Sequence, residues 1–211
     1  NKIFITGGNN EVSGQSVYIT GYSSTVTNAG GNVYITGNTN TVDTNAAGGR
    51  VFITGDGTTV TTSYGTLNIT GNSNTVTTAE GPTNMSGNNT VTTAQGTVNM
   101  SGVNTITTTE GTANLSGINT ITTTEGTANL SGINTITTAE GTANLSGTNT
   151  VTTAQGVVNM SGINTIETAQ GNVTVSGVNT ITATQGTAYI TGTNTIGTAQ
   201  GTLNASGVNT V

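Results

Sequence analysis

The sequence predicts an all-β protein: a two-sheet β-solenoid (β-helix) with coils of about 15 residues and two short parallel strands per coil. Three observations predict it. Glycines at Gly87, Gly102, Gly117, Gly132, Gly147, Gly162, Gly177, Gly192 and Gly207 recur every 15 residues without a slip. Within each repeat, apolar residues lie two apart between glycine steps, which is the pattern of short strands with alternating faces. A unit this short has no core of its own, so copies of it must stack.

Counted from its Glu-Gly or Gln-Gly glycine as position 1, one complete copy is Gly111–Glu125, GTANLSGINTITTTE, and 126–140 repeats it with a single change. Position 3 is Ala or Val (Ala113, Val158) and position 5 is Leu, Met or Val (Leu115, Met160, Val175). Both are expected to point inward on the first strand. Ser-Gly at positions 6 and 7 ends that strand, because glycine accepts a positive φ at a corner. Position 8 is Val103, Ile118, Ile133, Ile163, Val178 and Val208, with Thr148 and Thr193 between. It lies at the corner, where it either packs within the coil or forms a lateral docking seam. Position 9 is Asn throughout the regular coils, as at Asn104, Asn119, Asn134 and Asn149. These side chains are expected to bond their own turn and to ladder onto the Asn of the next coil. Position 11, Ile or Val (Ile121, Val151), is expected inward on the second strand, joined by the Thr of position 13. Thr and Val favour strands, and the glycine breaks come too often for helices.

The first coils keep the plan with irregular lengths. Their corner glycines are Gly7, Gly21, Gly37, Gly55 and Gly71, and the steps to Gly87 are 14, 16, 18, 16 and 16 residues. The chain therefore reads as one continuous solenoid: residues 1–81 with irregular coils of 14–18 residues, and 82–211 with regular 15-residue coils. Phe4, Tyr18, Tyr34 and Phe52 occupy position 4 in the first part, each between inward Ile or Val, and form an outward aromatic stripe. Later coils mostly carry Asn there. Pro82 stands near the change in coil length and is expected to break the ladder locally, having no N–H to donate. Both ends read as uncapped: the chain opens inside a strand at Lys2-Ile3-Phe4-Ile5 and stops mid-coil at Thr210-Val211. Open strand edges template other chains, so head-to-tail stacking is expected. With no initiator Met and no leader pattern, the chain reads as a mature product or a piece of a longer one.

Composition narrows the function. Charged residues make up only 5% of the chain, the formal net charge is −6, and Lys2 and Arg50 are the only basic residues. Nucleic-acid binding and polybasic membrane attachment both need clustered cations, and no apolar run is long enough to span a bilayer. Without Cys there are no disulfides or thiolate metal sites. Without His or Cys, and with carboxylates set in repeated, identical surroundings, no catalytic residue, cofactor site or metal site is expected. Glu110, Glu125 and Glu140 share position 15 and stack as a column. Such a row of oxygens could take a cation, but Gln95, Gln155 and Gln170 fill the same position, as suits a solvated corner. Asn68, Asn84, Asn99, Asn114, Asn129, Asn144, Asn159 and Asn204 open N-x-S/T glycosylation sequons. At coil spacing they read more simply as Asn and Ser ladders. A Thr/Asn/Ser/Gly-rich chain with few charges suggests an extracellular, cell-surface or virion-surface location.

Positions 10 and 12 form two outward ranks of threonine: Thr90 and Thr92, Thr105 and Thr107, Thr120 and Thr122, Thr135 and Thr137, Thr150 and Thr152. They define a lattice of about 6.7 Å along the strand and about 4.8 Å between coils. Asp43, Glu167 and Gly197 interrupt the second rank. At these residues the chain resembles the β-solenoid antifreeze (ice-binding) proteins, whose ice-binding faces are Thr-x-Thr arrays. The resemblance implies surface water ordered to match ice. Thr also suits any exposed strand, being β-branched, soluble and able to form Thr–Thr pairs. More loosely, the short Asn/Gly repeats resemble those of curli-like extracellular fibre proteins. The function expected first is therefore a structural subunit of an extracellular or virion fibre that self-associates head to tail and laterally. Ice binding through the Thr face is the alternative. An adhesin stalk using Tyr18, Tyr34 and Phe52 is a second.

Overall fold

The computed structural model describes residues 2–13, 16–27, 31–43, 49–197 and 199–210, with side chains at all of these but 62–64, 78, 93, 108, 123, 153, 168, 183 and 199. It is an all-β, parallel-stranded solenoid, with no helix among the described residues. The strands are β1 (Lys2–Thr6), β2 (Glu11–Ser13), β3 (Ser16–Thr20), β4 (Thr25–Thr27), β5 (Val33–Thr36), β6 (Thr41–Asp43), β7 (Gly49–Thr54), β8 (Thr59–Thr70), β9 (Asn74–Glu80), β10 (Thr83–Ile196) and β11 (Ala199–Thr210). The chain divides into two compact units, Asn1–Thr107 and Thr108–Val211.

In the first unit, β1, β3, β5, β7 and β8 pair side by side in that order, and β2, β4, β6 and β8 form the other row. β8 belongs to both rows because it runs round a corner, pairing β6 through Thr59 and Val60 and β7 from Gly65 to Thr70. Every registered pair joins equivalent residues, as in Ile3↔Val17, Phe4↔Tyr18 and Ile5↔Ile19. Alternation then does the sorting. Val17, Ile19, Val33, Ile35, Val51 and Ile53 are buried from one row, and Val12, Val26, Val42 and Val60 from the other.

The second unit carries the same register through its corners. β10 and β11 pair from Thr184↔Ala199 to Thr195↔Thr210, and both corner glycines pair with their equivalents, Gly186↔Gly201 and Gly192↔Gly207. Positions 3, 5 and 11 are buried as expected, as at Ala113, Leu115 and Ile121. Each buried Leu, Ile or Val contributes about 1.5–3 kcal/mol relative to exposure, so the thin core gains by repetition. One inward position was not anticipated: position 14 is buried at Ala139, Ala154 and Ala169, and as Thr at Thr109, Thr124 and Thr184. Simple alternation from position 11 places residue 14 outside, yet a small side chain is buried there, two residues before the corner glycine. The expected inward Thr at position 13 lies mostly outside the described side chains; Thr138 is half-buried.

One corner accounts for the extra residue of the 16-residue coils over the 15-residue ones. In the early coils the corner from Gly to the inward residue has four residues, as in Gly37-Asn38-Thr39-Asn40, whereas from Gly87-Asn88-Asn89 onward it has three. The extra residue takes the left-handed conformation at Asn9, Ser23, Thr39, Gly57 and Ser73, with φ between 54° and 68°. The expected break at Pro82 is present: β9 ends at Glu80 and β10 begins at Thr83.

Candidate interaction faces

The inner asparagines are the most constrained polar groups. In the second unit, each Nδ2 donates to the Oδ1 of the next coil along Asn119, Asn134, Asn149, Asn164, Asn179, Asn194 and Asn209, at 2.6–2.8 Å. The same amide also reaches backbone, as from Asn134 to the Ser146 carbonyl at 3.2 Å and from Asn149 to the Ser161 carbonyl at 3.2 Å. In the first unit, Asn104 donates to the Gly102 carbonyl at 3.5 Å, and Asn74 donates to Asn89 Oδ1 at 3.2 Å. The expected ladder is therefore formed. The Asn89 amide nitrogen is buried with no hydrogen-bond partner among the described residues. It sits where the corner shortens, beside a shallow open depression lined by Ser73, Asn74, Thr75, Asn88 and Val103.

A second ladder runs outside at position 4. Asn84 donates to Asn68 and Asn99 to Asn84 in the first unit, and Asn129, Asn144 and Asn159 each donate to the preceding coil in the second, all at 2.8–2.9 Å. The amide nitrogens of Asn84, Asn99, Asn129, Asn144 and Asn159, which a glycan would need, are thus engaged in bonds between coils. Gln155, Gln170, Gln185 and Gln200 form a looser exposed row at 3.3–3.5 Å. No group of three or more acidic residues is placed to hold a metal ion among the described residues.

The two Thr ranks stand where strand alternation puts them. In the first unit Thr90, Thr92, Thr105 and Thr107 are exposed on either side of buried Val91 and Ile106. In the second, Thr120, Thr122, Thr135, Thr137 and Thr150 are exposed and Thr152 is half-buried, flanking buried Ile121, Ile136 and Val151.

Position 8 is where sequence left two alternatives open, and it points outward. Val103 in the first unit is exposed; in the second, Ile118, Ile133, Ile163, Val178 and Val208 are 48–69% exposed. All but Val208 precede an Asn whose side chain is buried, so alternation turns its neighbour out. Thr148 and Thr193 fill the two remaining places in that row and are also exposed.

The aromatic stripe is confined to the first unit. Phe4, Tyr18, Tyr34 and Phe52 stack ring on ring, with centroids 4.7, 4.7 and 4.9 Å apart and planes within 18°. Phe4 is exposed and the other three are half-buried. The column passes to asparagine at the pair Phe52↔Asn68. No protein-family model matches the chain, and comparison with curated proteins and with solved structures finds no match.

Proposed function

We propose that this chain is a structural, self-associating β-solenoid that packs side by side into an extracellular or surface fibre. The observation that carries this reading is the position-8 row of the second unit. Its seven places are β-branched and regularly spaced, five of them Ile or Val with Thr148 and Thr193 between, and it is flanked by Ser, Gly and Thr rather than by charge. Exposed apolar side chains gathered along one edge mark association surfaces. A partner with the same pitch as the row is a second copy of the same chain, which brings an equivalent row coil for coil. The Thr/Asn/Ser/Gly surface, poor in charge, supports a location outside the cell.

Sedimentation velocity tests this reading. The wild-type chain is expected to sediment as concentration-dependent assemblies. Ile118→Ser, Ile133→Ser and Ile163→Ser together are expected to shift it to single chains with an unchanged strand spectrum. Assemblies that persist in the triple variant would contradict it.

Ice binding remains a second reading, favoured by one observation: two exposed Thr ranks held on a backbone of fixed register. For that reading, Thr120→Tyr with Thr135→Tyr abolishes inhibition of ice recrystallisation and leaves assembly intact. Equal activity in wild type and variant would exclude it.

A further inference from the structure

We infer that the aromatic face of the first unit binds a linear, sparsely anionic polysaccharide. The face is three columns wide. Its centre is the ring stack of Phe4, Tyr18, Tyr34 and Phe52. On one flank, Thr6, Thr20, Thr36 and Thr54 are exposed and in register. On the other flank stand Lys2, Ser16, Asn32 and Arg50; Lys2 pairs with Ser16, and the Arg50 backbone N–H donates to Asn32 Oδ1 at 3.2 Å. Lys2 and Arg50 are both exposed and are the only basic residues of the chain. They lie in one column, three coil steps or about 14 Å apart. None of these twelve residues is a carboxylate, although the chain is net −6; the acidic residues of this unit, Glu11, Asp43, Asp56 and Glu80, occupy other positions of their coils.

The ligand that fits is extended and repeating, as the face is. It lays C–H surface along the outward edges of the stacked rings and offers hydroxyls to the Thr, Ser and Asn groups, and its anionic groups are spaced widely enough for two separated cations. Rings with a polar tip, such as Tyr18 and Tyr34, suit a surface that is part apolar and part wet. A nucleic acid presents closely spaced phosphates and needs clustered cations, and an anionic bilayer needs a polybasic patch. A glycan with carboxylates on some of its sugars meets all three columns.

Affinity electrophoresis of the full chain tests the inference, with hyaluronan (carboxylates on alternate sugars) as probe, dextran as the uncharged glycan and single-stranded DNA as the dense polyanion. Retardation by hyaluronan alone is expected. Tyr18→Asn with Tyr34→Asn introduces the residue that later coils use at position 4, and is expected to weaken binding at least ten-fold. Lys2→Ser with Arg50→Thr takes residues found in neighbouring coils, and is expected to weaken it similarly. Should the tyrosine variant lose its strand spectrum, the Lys2/Arg50 variant, confined to exposed side chains, decides the matter. No retardation by hyaluronan, equal retardation by DNA, or unchanged affinity in the folded variants would overturn the inference. These substitutions leave the position-8 row intact, so loss of glycan binding and loss of assembly are separable.

Discussion

Asn134 bonds to both neighbouring coils through one small amide. Its Oδ1 accepts from Asn119 at 2.8 Å, and its Nδ2 donates to Asn149 at 2.7 Å and to the Ser146 carbonyl. Asn134→Ala would leave a donor on Asn119 and acceptors on Asn149 and Ser146 unpaired in a buried column. The expected cost is about 2–4 kcal/mol, measured as a lower denaturation midpoint. The opposite sign is expected at position 14. The hydroxyls of Thr109 and Thr124 are buried with no hydrogen-bond partner among the described residues, while other coils place Ala there. Thr109→Val and Thr124→Val keep the shape and remove an unpaired polar atom, for a gain of about 1 kcal/mol each; a raised midpoint checks this. The asparagine ladder was readable from sequence because a polar residue recurring at one corner has a single satisfying geometry. The inward position 14 was not, although Ala79, Ala94, Ala139, Ala154 and Ala169 carry the signal. Small residues fit either face, and alternation alone assigns them to the wrong one.

At the scale of the coil, the two glycine corners decide how closely turns approach. Gly132 has φ +107°, and a Cβ there would lie 2.1 Å from the carbonyl oxygen of Gly117. At the other corner Gly141 has φ +123°, and its Cβ would lie 2.4 Å from the Gly126 oxygen. Both the conformation and the space require glycine. Gly132→Ala is expected to open the ladder on both sides of its coil, costing at least about 2 kcal/mol and exposing nearby amides to hydrogen exchange before the rest of the second unit. Unchanged exchange around Asn134 would contradict this. The four-residue corners of the early coils show what sequence reading found and what it missed. Counting glycines gave the lengths, but the place of the extra residue emerges only from its left-handed φ at Asn9, Ser23, Thr39, Gly57 and Ser73. Gly57 and Asn9 are of residue types that favour the conformation, whereas Ser23, Thr39 and Ser73 give no such signal.

For the whole molecule, strand chemistry was readable and surface use was not. Inward positions 3, 5 and 11 followed from period-two alternation because burial selects apolar residues. Exposed residues are less constrained, so the sequence alone did not settle whether position 8 packs inside its corner or stands out. Its exposure in each unit supports lateral association, and the chain offers a direct test because it contains no cysteine. The decisive measurement is the rate of disulfide-linked dimer formation under mild oxidation by Ile133→Cys, compared with Thr137→Cys on the Thr face. Packing through the position-8 row predicts that Ile133→Cys cross-links at least ten-fold faster at the same protein concentration. Equal rates, or faster cross-linking by Thr137→Cys, would contradict that packing.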